Sequence, residues 1–197
     1  METLDTQTWI IIAAIVVLGL VALGAWLFYQ KKQSQKLQDR FGPEYGRTVS
    51  ELGSRTKAES ELKAREKRVE RLEIIALSPS EATRFSEAWQ ALQGRFVDNP
   101  KGVVVQAEQL VRELMEKRGY PMGDFERRAG DISVDHPDVV ANYRLAQAIA
   151  VRDRQGTADT EELRKAVVHY RALFDELLEV RAAKQEIIVE KRIDALK

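Results

Sequence analysis

The side chains that titrate near neutral pH are few in this chain: it has two histidines, His136 and His169, and no cysteine. His136 stands in SVDHPD between Asp135 and Asp138, and imidazole flanked by carboxylates is a ligand set for zinc or iron and a source of general-base chemistry. The same hexapeptide also reads as the opening of a helix. In that reading Asp135 is the cap, Pro137 sits in the first turn and His136 is exposed between them, where ligands so close in sequence do not converge. His169 adjoins Ala166 and Tyr170 on an apolar helix face, which suits a hydrogen-bonded boundary histidine. No serine or carboxylate is paired with it at a catalytic spacing. Asp135, His136 and His169 are therefore the polar site candidates, with no catalytic or metal role assigned.

Other chemistry is harder to place. Gly42, Gly46 and Gly53 are too widely spread for a phosphate-binding loop and follow no strand. The adjacent acids Glu161/Glu162 and Asp175/Glu176 suit helix capping and solvated faces. Phe85, Trp89 and Phe96 lie at helical spacing and read as core rather than as a ligand pocket. The absence of cysteine removes disulfides, thiolate nucleophiles and cysteine-ligated metals. With 31 basic and 31 acidic side chains, the chain lacks the basic excess a nucleic-acid binder gains from. The expectation is a non-enzyme without cofactor.

The element that positions everything else is the apolar run WIIIAAIVVLGLVALGAWLFY, residues 9–29, which carries no charge. Ile10 to Phe28 as a helix covers roughly 28 Å, enough for a hydrocarbon core. Trp9 at one end and Trp26 and Tyr29 at the other suit the headgroup level, and Lys31 and Lys32 follow where long side chains reach lipid phosphates. A cleaved signal is disfavoured by the acidic, lysine-free start METLDTQT and by bulky residues where a cleavage site would lie. Lys31, Lys32, Lys36 and Arg40 against the single Asp39 place the C-terminal part in the cytoplasm and residues 1–8 outside. Gly19, Ala22 and Gly24 have large residues four positions on, so the span has no small-residue dimerisation groove.

Beyond the span, residues 30–43 form a basic juxtamembrane segment that breaks at Gly42 and Pro43. Residues 44–77 read as one long solvated stalk helix: 15 of the 30 residues from Glu44 to Glu73 are charged, with Glu51/Arg55, Glu59/Lys63 and Glu61/Arg65 spaced four apart. A coiled coil is the functional alternative, although a heptad begun at Tyr45, Val49 and Leu52 runs into Glu59, Lys63 and Glu66. Residues 78–180 read as a helical bundle. SPSE supplies a capping box; Ala82, Phe85, Trp89, Leu92 and Phe96 form one face; Asn99 and Pro100 separate the next helix; Gly119 and Pro121 stop it. A turn or short helix through DFERRAG leads to a helix opened by SVDHPD, and Asp159 or Thr160 caps a last helix with Leu163, Ala166, Tyr170, Leu173, Phe174 and Leu177 inward. Residues 181–197 read as an exposed helical tail. The fold class is all-α: one N-terminal transmembrane helix, a stalk helix and a C-terminal bundle.

The strings LQDRFGPEYGRTV, VERLEI followed by LSPSE, RFVDNP, RGYPMGDFERRAGDISVDHPDVV with NYR, and HYRALFDELLE resemble those of a group of bacterial single-pass membrane proteins with no known activity. The resemblance runs from about Leu37 to Glu179. It implies an inner-membrane location and adds no catalytic residue. Family members often carry an acidic residue at the position of Gly46 and a histidine at that of Gln147, so Gln147 argues against a histidine-centred mechanism here. Anchor, spacer and compact domain together predict a membrane-tethered cytoplasmic interaction or scaffolding module. Its partners would be the lipid bilayer and a protein, with no nucleic acid. The alternatives are a self-assembling structural or envelope-stress protein and, third, a metal-dependent enzyme using Asp135, His136 and His169.

Overall fold

The computed structural model describes the backbone of residues 6–194 and the side chains of residues 15–178. The expectations for the N-terminal end, for the Trp9 ring and for the exposure of the 181–197 tail fall at least partly outside these residues. All described elements are helical, with no strand among them. The chain divides after Arg40 into two units.

The first unit is built on α1 (Thr6–Phe41), a 36-residue helix. At 1.5 Å per residue it is roughly 54 Å long. It holds the one segment among the described residues that is long and apolar enough to cross a membrane. Trp26, Tyr29, Lys31 and Lys32 are all exposed on it, like the rest of its described residues up to 32.

The second unit begins where Gly42, at φ +48°, breaks α1 and Pro43 starts the next helix. Few residues other than glycine take that conformation, and a proline at the first helical position gives up an N–H that would have had no partner. The expected single stalk over 44–77 is not formed. The chain makes two helices there, α2 (Pro43–Leu52) and α3 (Arg55–Val69), because Gly53 at φ +63° caps α2 in the left-handed conformation, its N–H bonding Val49 O at 2.9 Å. They fold together as a hairpin in which Tyr45 donates to Glu59 Oε1 at 2.8 Å and accepts from Arg55 Nε at 3.0 Å. Ala58, Leu62 and Val69 are buried within the fold, as is Tyr45 of the heptad considered for a coiled coil, while Leu52 of that heptad is exposed.

The remaining helices are α4 (Pro79–Gly94), α5 (Pro100–Lys117), α6 (Phe125–Asp135), α7 (Pro137–Arg154) and α8 (Thr160–Asp194). Their starts are written in local chemistry. Ser78 and Glu81 form a reciprocal capping box, Asn99 Oδ1 accepts from Gly102 N at 2.9 Å, Asp124 Oδ1 from Arg127 N at 2.8 Å, and Asp159 Oδ1 from Glu162 N at 2.8 Å. The core gathers Phe85, Trp89, Val111, Leu114, Tyr143, Tyr170 and Phe174, with the Trp89 and Phe174 rings stacked at 4.6 Å. Trp89 is thus a packing residue, as its helical spacing implied.

SVDHPD closes one helix as well as opening the next, with Pro137 in the first turn as expected. Its first three residues close α6, and α7 starts at Pro137, so Asp135 is the last residue of α6 rather than a cap. Pro137 has no N–H to continue α6 and pushes the residue before it out of helical geometry, which is why His136 sits at φ −132°, ψ 58° between the two helices.

Candidate functional site

The sequence-derived candidates do not meet in one site. His136 is buried, contrary to the exposed position expected, because its ring is turned inward at the α6–α7 corner, where Nδ1 lies 2.9 Å from Glu176 Oε1 on α8. A carboxylate oxygen only accepts, so Nδ1 is the donor and orients the ring. His169 Nδ1 lies instead 2.8 Å from Asn142 Oδ1 on α7, and its pKa is lowered by burial and then by the nearby Lys165 charge. Asp135 is exposed, and its charge acts on Tyr120 and Arg118. Burial first, and Asp135 second, hold the Tyr120 phenol well above its ordinary range. Among the described residues no three histidine or acidic side chains gather as a metal site. Gln147 Oε1 accepts from the Tyr170 hydroxyl at 3.2 Å.

The most densely charged place in the domain is one that local sequence patterns did not reveal. It forms where the α2–α3 hairpin meets α6 and α7. Glu44, in the first turn of α2, is only 3% exposed and takes both arms of the Arg144 fork: Nε to Oε1 at 2.8 Å and Nη2 to Oε2 at 3.1 Å. Arg65 of α3 and Arg47 of α2 each bring a guanidinium nitrogen to 3.7 Å from Glu44 Oε2. Arg144 Nη1 also donates to Glu126 Oε2 at 2.6 Å, and Arg47 reaches the same oxygen at 3.4 Å. Burial pushes the Glu126 carboxyl up, but Arg144 and Arg47 together outweigh it and hold its pKa below the usual value. For Arg144 burial opposes the charge, and Glu44 and Glu126 more than compensate, so its pKa is raised.

The local sequence explains why these groups can approach. Gly42 and Pro43 bring Glu44 into the first turn of α2, where a carboxylate is also favoured by the helix dipole. Gly130 is buried in α6, and a Cβ there would lie 3.3 Å from Arg65 Nε, so the missing side chain leaves room for that guanidinium to lie along α6. Arg144 passes over the Phe125 ring, its Cζ 5.9 Å from the centroid. A second contact of the same kind joins Arg68 of α3 to Asp131 of α6, with Nε and Nη2 at 2.7 and 2.6 Å from Oδ1 of a fully buried carboxylate.

Beside this junction lies an open cleft of about 680 Å³ between the hairpin and α6. Its walls are charged in both senses: Arg65, Arg68 and Glu61 from α3, Arg47 from α2, and Glu126 and Arg127 from α6. No nucleophile–base pair lines it. Its groups can form ion pairs and hydrogen bonds with a ligand carrying both signs of charge, as peptide segments do. No family model, curated protein or solved structure matches the chain. The site is therefore read from its geometry alone.

Sequence reasoning passed over Glu44 and Arg144 because each is unremarkable in its own segment. Both do lie in strings that carry the family resemblance, RFGPEYG and NYR. An acid immediately after Gly-Pro and an arginine next to the core residue Tyr143 were the only signals available.

Proposed function

We propose that this protein is a membrane-tethered interaction module, held in the bilayer by α1 and using the mixed-charge cleft to receive a charged segment of a protein partner. The observation that carries the reading is the cleft itself: it is open, lined by both signs of charge and free of a nucleophile–base pair, in a domain that follows an apolar membrane-length helix. Mixed charge suits protein recognition and gives no advantage to a polyanion. We place the protein in a bacterial inner membrane with the N-terminus outside and the helical domain in the cytoplasm, on the basis of Lys31, Lys32, Lys36 and Arg40 after the span and the family resemblance. Self-assembly through the 44–77 segment has less support, since Leu62 and Val69 are already buried within the chain.

Photo-crosslinkers placed at Glu51 and at Arg127 of the full chain in native membranes test the reading. The expected result is the same discrete protein adduct from both positions, lost on reversing the charge of Arg68. No adduct, or an adduct indifferent to that reversal, overturns it. Orientation is tested separately in inside-out vesicles, where added protease should digest the helical domain; a protected domain reverses the topology.

A further inference from the structure

The α2–α3 hairpin is attached to the rest of the domain in a different way from every other helix pair. The hydrophobic core runs continuously through α4 to α8, with Leu77 and Tyr120 joining it from the connecting segments. The hairpin's own buried apolar residues, Tyr45, Ala58, Leu62 and Val69, are not part of that core. The hairpin instead meets the bundle along α2–α7 and α3–α6. Ion pairs cross those two seams: Glu44 with Arg144, Arg47 with Glu126, and Arg68 with Asp131.

The chain at either end of the hairpin is suited to movement. At its start lies Gly42 at φ +48°. At its end, residues 73–78 form no helix, and the bundle takes hold of the chain from Glu73 onward: Glu73 O faces Gly119, Ile74 packs on the core, Ile75 N–H bonds Arg118 O at 3.0 Å and Leu77 is buried. Residues 70–72 are therefore the hinge between the hairpin, whose buried apolar residues stand apart from the main core, and the bundle. Elements with few shared apolar contacts are the ones that open first from a native structure.

We propose that the α2–α3 hairpin is a detachable strap: it leaves the α6–α7 face as a unit while α4 to α8 remain folded. Because one wall of the cleft comes from the hairpin and the other from α6, undocking dismantles the cleft, and docking assembles it. The undocking itself is independent of the partner reading; only its consequence for binding rests on that reading.

Hydrogen–deuterium exchange on the full chain in lipid nanodiscs tests the strap without any partner. In Asp131→Asn and in Arg144→Met, amides of residues 43–69 should exchange at least about tenfold faster as a group, while those of α5 and α8 keep their protection. The exchanged pair Arg68→Asp with Asp131→Arg should return the hairpin toward native rates. On the unmodified chain, raising salt from about 0.1 to about 1 M shortens the screening length from about 10 to about 3 Å and should accelerate the same segment selectively. This control covers the case in which a variant fails to fold. Equal acceleration of hairpin and bundle would show one cooperative unit and overturn the proposal, as would a hairpin whose rate ignores both the substitutions and the salt.

Discussion

Glu44 and Arg144, one hundred residues apart in the chain, form a two-pronged ion pair in which the carboxylate is 3% exposed and the guanidinium side chain 13%. Two parallel N–H···O bonds match the planar fork to the carboxylate and fix α2 against α7 in one register. Removing one partner leaves the other charge largely buried without its best-matched counter-ion.

That asymmetry predicts the outcome of a double-mutant cycle. Glu44→Gln and Arg144→Met should each destabilise the domain by about 3 kcal/mol, and the double substitution by clearly less than the sum. Thermal or chemical unfolding of the full chain in detergent measures all four corners; strict additivity would show that the two side chains are not energetically coupled.

Gly119 should be the least replaceable glycine in the domain. It takes φ +89° at the end of α5, and a Cβ there would stand 2.5 Å from the backbone oxygen of Glu73. Gly156 also has a positive φ, +73°, but a Cβ there meets nothing within 4 Å. Gly156→Ala is expected to cost about 1 kcal/mol from backbone strain alone. Gly119→Ala adds a clash with backbone and should lower the melting temperature markedly further. Matching melting temperatures for the two variants would contradict this account.

His169 gives a pH dependence of defined sign. Burial, then Lys165, lowers its folded-state pKa below the ordinary value of 6.5, so the folded protein binds the proton less readily than the unfolded chain. The stability it contributes is complete above about pH 6.5 and is lost as the pH falls below that value toward its folded-state pKa. A proton NMR titration of the ring should give a midpoint under 6.5, and His169→Gln should flatten the acid side of the stability profile. A midpoint above the ordinary value would reverse the sign.

The start of α4 offers a local test. Ser78 Oγ accepts from Glu81 N at 3.2 Å while Glu81 Oε2 accepts from Ser78 N at 3.0 Å. Ser78→Ala should cost about 1 kcal/mol, whereas Ser78→Asp should retain most of the stability because it also caps. Equal losses in the two would mean that the hydroxyl has a role beyond capping.

Local chemistry determined much of this protein before any packing was known. An uncharged run from Trp9 to Tyr29 implies a membrane-length helix, because length and apolarity are properties of consecutive residues. Ser78, Asn99 and Asp159 mark helix starts, because a cap bonds a backbone N–H only two or three residues on. The inward faces of α4, α5 and α8 follow from spacings of three and four, which a helix turns into one stripe.

Tertiary structure decided the rest, and it did so where the outcome depends on residues distant in the chain. Half-charged residues 44–73 read as a solvated stalk because periodicity cannot show that Arg68 and Glu44 find partners on α6 and α7, or that Arg65 turns back to Glu44. His136 read as exposed because nothing nearby announces Glu176, forty residues later. Apolar residues advertise their burial by type, since any apolar neighbour satisfies them. A buried charge requires one particular partner at one angle and distance, and only the assembled helices supply it.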